Sequence, residues 1–245
     1  MRIIRHLVLG CVSAVMLLGA SAAAVLAYPQ PLFAYHAERG ALQLWSDRPF
    51  DVAKVDDVLA DVERRIARSP LPLGAGPHRV FIANAEWRRR LVFLWNSGAG
   101  GVNYYPLRNV FIRHSDVDGD RVLGNAGPVP PPRTLAYFAA HEIGHSLIGE
   151  RVGALANHRL PLWIREGLAD YIGFGAAVDI DALTRALIAD EVQMNPQLTG
   201  LYARYRLLVA YFLEREGWSV DRLLGSNLPQ EVAEQRLLAA AAARR

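Results

Sequence analysis

The chain has 245 residues, 52% of them hydrophobic and 21% charged, enough to bury a core in one domain and too apolar for a disordered tail. Its 27 basic residues fall to 25 once Arg2 and Arg5, which precede the first apolar run, are set aside, against 24 acidic ones; a near-neutral body gives no electrostatic case for nucleic acid. The only cysteine, Cys11, lies inside that apolar run, which excludes an intramolecular disulfide and a thiolate cluster and leaves His, Asp and Glu as possible metal ligands.

From Leu7 to Ala27 the residues are without exception apolar or small, the pattern of an export segment behind basic residues. Ala22, Ala24 and Ala27 ahead of Tyr28 and Pro29 suit removal of a signal peptide, while about 21 uncharged residues also suffice to span a bilayer. Residues 1–27 are therefore read as signal peptide or membrane anchor, with 28–245 as the body. Uncleaved, the two arginines hold the N-terminus inside and place the body on the outer, periplasmic or extracellular side. Too few apolar residues precede Cys11 for a lipoprotein signal.

After Pro29 and Pro31, Leu32 to His36 and Ala41 to Trp45 read as a short hairpin around Gly40. Asp51 is an N-cap candidate for an amphipathic helix on Val52, Val55, Leu59, Val62 and Ile66, stopped by Ser69 and Pro70. Arg79 to Ala83 is a strand, Glu86 to Trp95 a helix, Asn96 to Gly101 a glycine-rich loop, and Val102 to Tyr105 and Asn109 to His114 two further strands. Beyond the proline cluster at 128–132 the pattern turns helical: Thr134 to Arg151 closed by Gly153, then Pro161 to Ile172, Ile180 to Gln193 and Leu201 to Arg215. Strands first and helices afterwards predict an α+β domain, a small mixed sheet with helices followed by a mostly helical C-terminal half.

Within the first of those late helices stand His141, Glu142, Ile143, Gly144 and His145. Histidines at i and i+4 project from one face a turn apart, so two imidazole nitrogens can reach one ion, and Glu142 lies beside it, placed to take a proton from metal-bound water. The surrounding Leu135, Phe138, Ala139, Ala140, Ile143, Leu147 and Ile148 are apolar, where unpaired imidazoles and a carboxylate would be costly. Downstream, Glu166 and Asp170 are one turn apart in a second helical segment. Glu166 can give a third ligand atom, and Asp170 can accept a hydrogen bond from the far nitrogen of a ligating histidine. A solvated acidic face is the bland alternative for this pair.

HEIGH followed by WIREGLADY resembles the gluzincin metallopeptidases, more narrowly their small bacterial MA-clan-like members. The resemblance covers about Thr134 to Tyr171. It implies a zincin-like metallopeptidase domain over 28–245, Zn2+ as cofactor on His141, His145 and Glu166, Glu142 as the base, Asp170 behind the ligands, and a peptide or protein substrate. The metzincin pattern would place a glycine and a third histidine where this chain has Ile148 and Arg151, and is excluded. The implied reaction is metal-assisted hydrolysis, for which Tyr205 and His158 are candidates to stabilise the oxyanion and Val102 to Tyr105 an edge strand for an extended peptide.

Asp116, Asp118 and Asp120 have a glycine at the fourth place, not the sixth, and read as a turn, not a calcium loop. Trp87 with Arg88 to Arg90 is a solvated helix face, and His36, His78 and His114 are structural. Against an exported peptidase, the competing functions are a catalytically silent zinc-binding assembly protein, in which Glu142 would have no task, and a metal-free scaffold held to the membrane by its N-terminal helix.

Overall fold

The run at residues 78–83 is buried on both faces, the signature of a strand inside a parallel sheet, and the fold is organised around it. The computed structural model describes residues 2–74, 76–96, 98–124 and 127–244, apart from the side chains of residues 2–5, 7–11, 14 and 18. Its first half holds α1 (Arg2–Ala27), β1 (Tyr35–Arg39), β2 (Leu42–Ser46), α2 (Val52–Ala67), β3 (His78–Ala83), α3 (Glu86–Phe93), β4 (Gly101–Asn103), β5 (Asn109–Arg113), β6 (Ser115–Asp116), β7 (Arg121–Gly124) and β8 (Gly127–Pro128). Then follow α4 (Leu135–Val152), α5 (Ala154–Arg159), α6 (Leu162–Gly173), α7 (Ile180–Ile188), α8 (Pro196–Thr199), α9 (Ala203–Ala210), α10 (Val220–Gly225) and α11 (Gln230–Ala242), with no strand among the described residues. The class is α+β, as the order of patterns predicts.

The main sheet runs β1-β2-β3-β5-β4, with β2, β3 and β5 parallel and β1 and β4 antiparallel at the edges. Alternation along β3 and β5 sends Val80, Ile82, Val110 and Ile112 into a core shared with α2, α4, α6 and α9. Phe81, Ala83 and Phe111 point the other way, into a smaller cluster with Phe33, Val92, Phe93 and Val102. Helix α2 starts where Asp51 Oδ1 accepts the Ala53 N–H at 2.8 Å and lays Val55, Val58, Leu59, Val62 and Ile66 on the sheet.

Several boundaries differ from the sequence reading for visible reasons. Residues 30–32 form a short 3₁₀ turn after Pro29, so the hairpin's first strand begins three residues further on, while Gly40 takes φ 55° at the turn. The helix expected over Ile180 to Gln193 ends at Ile188, where Asp190 adopts φ 51°. The one expected over Leu201 to Arg215 is α9 continued by a π-helical turn, Tyr211–Arg215.

The N-terminal apolar segment is helical. Val12, Val15, Met16 and Leu17 are exposed along it, while Val25 and Leu26 pack on the smaller cluster. Asn109 Nδ2 donates to the Leu26 and Ala27 carbonyls at 2.8 and 3.2 Å. Among the described residues no helix is long and apolar enough to cross a membrane; part of the 7–27 segment lies outside that description.

Helix α4 is buried on nearly every side, which explains why it shows no amphipathic stripe. Helix α6 crosses it where Gly144 meets Ala169 and Ile172, and α9 crosses α6 where Gly167 meets the Tyr205 backbone. A Cβ at Gly167 would lie 2.6 Å from the Tyr205 carbonyl oxygen, a backbone atom that cannot swing aside. Gly167→Ala is therefore expected to cost about 1–3 kcal/mol by overpacking, read as a lower urea midpoint at unchanged slope.

Candidate metal centre

The start of α4 is fixed by hydrogen bonds to its free N–H groups. Thr134 Oγ1 accepts from Tyr137 N at 3.2 Å and Asp120 Oδ1 from Ala136 N at 2.8 Å. The aspartates of the 116–120 turn are all engaged structurally: Asp116 accepts from Gly119 N and Arg121, and Asp118 from Asp51 N.

On this anchored helix the His141 and His145 rings lie 5.0 Å apart between centroids, nearly perpendicular. Helix α6 brings Glu166 against both. Its Oε2 is 3.4 Å from His145 Nε2 and 3.8 Å from His141 Nε2, and the three donor atoms lie within 4.8 Å of one another. Four ligands at about 2.1 Å in a tetrahedron stand about 3.4 Å apart, so these spacings suit a common ion. His141, His145 and Glu166 could hold a metal ion.

The electrostatics agree with that donor set. Burial, helped by His145, lowers the His141 pKa to about 3, leaving a neutral imidazole with a lone pair to donate. Burial alone would raise the Glu166 carboxyl, but His145 first, then His141 and Arg165, hold it down at about 2. At His145 burial works against the charged form, and Glu166 outweighs it and raises the pKa. A buried carboxylate that favours a cation at His145 also favours one among the three donors. No protein-family model, curated protein or solved structure matches the chain.

Glu142 is 7% exposed and lines the same cleft, a cavity of about 890 Å³. Burial, with Glu166 nearby, raises its carboxyl to about 7, the range of a general base at neutral pH. Its neighbour across the cleft is Gly101 of β4, where a Cβ would stand 2.7 Å from Glu142 Cγ.

Asp170 is placed differently from the sequence reading. Its Oδ1 lies 3.8 Å from His141 Nδ1, beyond hydrogen-bond distance, and that buried nitrogen has no hydrogen-bond partner. The carboxylate is taken up instead by a short hydrogen bond from Tyr137 Oη and by Arg206 Nη1 at 2.5 Å. Burial raises the Asp170 pKa, with Arg206 and Tyr137 opposing. Arg206 also stacks on the Phe174 ring at 3.7 Å. Tyr137 had a legible signal, standing one turn before His141 on the same face; Arg206 had none, since only the α6–α9 crossing brings it in.

Of the two residues considered for the oxyanion, His158 lines the cleft, whereas Tyr205 is buried behind Tyr202. Tyr202 stacks on His141 with ring centroids 5.9 Å apart and planes 9° apart, and lines the cleft. Its pKa is raised by burial and then by Glu166. The sequence reading did not single out Tyr202, since only the packing at the start of α9 brings it onto His141.

Arg206→Met leaves the buried Asp170 with one partner and is expected to cost about 3–5 kcal/mol in urea unfolding. Asp170→Asn in that background is expected to recover part of the loss, so the two substitutions will not add.

Proposed function

We propose that the protein is a zinc-dependent peptidase that hydrolyses peptide bonds, related in mechanism to the gluzincins that HEIGH and WIREGLADY resemble. One observation carries the reading: a group of two histidines and a glutamate fit for a metal shares an open cleft with Glu142, a buried carboxyl shifted to about 7. Two imidazoles and one carboxylate suit Zn2+ with a position left for substrate. When bound, zinc would supply Lewis acidity, lowering the pKa of water and polarising a carbonyl.

The chain's own residues do the rest. Glu142 accepts a proton at its carboxylate from the attacking water and returns it to the leaving amine, a task matched to a pKa of about 7. Tyr202 lies parallel to and offset from the His141 ring, and Asp170, itself fixed by Tyr137 and Arg206, stands 3.8 Å from the far nitrogen of that ring. The edge strand β4 runs along the cleft and offers backbone to an extended peptide. Export fits the N-terminal segment, whose body then works outside the cytoplasm, with 7–27 as leader or anchor. The catalytically silent assembly protein is the second reading. It is disfavoured by Glu142, because a buried carboxyl beside the donors costs stability and serves no binder.

Metal analysis should find one zinc per chain in the wild type and in Glu142→Ala, and none in His145→Ala. Cleavage of a broad peptide library should be lost in both variants. Zinc without cleavage by the wild type would favour the assembly protein, and no zinc would sink both readings. Gly101→Ala should keep its zinc while kcat falls by ~10²-fold, since the added methyl displaces Glu142 by about an ångström.

A further inference from the structure

The cleft has a charge pattern that the metal and its base do not need. Apart from Glu142 and Glu166, the charged side chains on its wall are Arg113, Arg133 and Arg165, and none of the other lining residues is acidic. A divalent ion would balance the two carboxylates, so the cleft wall has no further acidic side chain to meet an arginine. Arg165 is partly committed, its Nε lying 3.4 Å from Glu166 Oε1. Arg113 is 8% exposed and set in the strand floor.

Arg133 is different. It is half-buried, stands between Pro132 and the N-cap Thr134 at the head of the metal-binding helix, and makes no ion pair or hydrogen bond among the described residues. Its charge reaches the site, acting on both Tyr137 and Asp170. A guanidinium with its donors uncommitted at the wall of a cleft can take a planar anion through a two-pronged hydrogen bond.

We infer that Arg133 is a specificity residue that pairs with a carboxylate of the bound peptide, so that the cleft selects peptides carrying an acidic side chain or a free C-terminal carboxylate close to the bond cut. This deepens the peptidase reading and rests on it for the cleavage step alone, because selection by charge also shows in binding. The Arg133 charge draws such peptides in, and like-charge repulsion disfavours lysine and arginine at the same place.

The test uses the full chain loaded with zinc and matched peptides in which one residue is Glu, Gln or Lys, each with a free or an amidated C-terminus. Dissociation constants are measured by calorimetry on Glu142→Ala, and kcat/KM on the wild type. The expected result is at least about tenfold preference for the peptide with the added carboxylate over its uncharged match, and a larger one over Lys. Glu against Gln isolates a side-chain carboxylate, and acid against amide a C-terminal one. Arg133→Gln should abolish the preference, Arg133→Lys should retain part of it, and Arg133→Glu should turn it toward Lys. Equal affinities across the wild-type series would overturn the inference, as would a preference that survives Arg133→Gln. Selective binding without cleavage would leave the inference standing and sink the peptidase; cleavage without selectivity would do the reverse.

Discussion

Helix α4 has to place two imidazoles and a carboxyl in the middle of a hydrophobic protein while having almost no solvated face of its own. Each such group loses its hydration when the helix packs, and an unpaired charge there would cost several kcal/mol, comparable with the whole stability of a domain. Much of the surrounding architecture answers that demand. The helix is fixed at its start by Thr134 and Asp120, and it faces Glu166 across the cleft. Those three donors converge because α6 can approach closely at Gly144, where Ala169 is the opposing residue.

The same demand is passed outward. Bringing α6 in to deliver Glu166 also buries Asp170 one turn later, only 1% exposed. That carboxylate is met by Tyr137 from α4 and Arg206 from α9, so one buried charge joins the three central helices. Helix α9 can lie close enough to do this because Gly167 presents no side chain to the Tyr205 carbonyl. In this position α9 also carries Tyr202 onto the His141 ring. Donor geometry, helix packing and the aromatic wall of the cleft therefore share the close helix contacts at Gly144 and Gly167.

How far the sequence foretold this depends on the range of each interaction. Local signals were legible: the Asp51 and Thr134 caps, the run of β3, and HEIGH, whose spacing needs nothing beyond helical geometry. Glu166 was legible because it sits on a helix near in sequence and its partner type was known in advance from the histidines. Asp170 was found as a residue but not in its surroundings, since its partners lie 33 and 36 residues away on different helices. Tyr202 was not legible for the same reason, because its stacking on His141 depends on how α9 packs on α6 at Gly167. The helix expected through Gln193 failed on a local feature instead, the left-handed backbone at Asp190, which side-chain periodicity does not report.

The distribution of cost across the cleft separates its residues by purpose. Asp170 is partnered within the protein, by hydrogen bonds from Tyr137 and from an Arg206 guanidinium that stacks on Phe174, although burial still outweighs them and raises its pKa. Burial pushes Glu142 to about 7, and among the described residues Arg133 has no ion pair; both sit on the wall of an open cavity. A hydrophobic residue of similar volume in place of Glu142 would relieve its desolvation, as replacement of buried charges often does. A polar group on a cleft wall that has no hydrogen-bond partner in the folded chain is free to meet what enters the cleft. In the peptidase reading we propose, that is a proton to be moved for Glu142 and an anion to be held for Arg133.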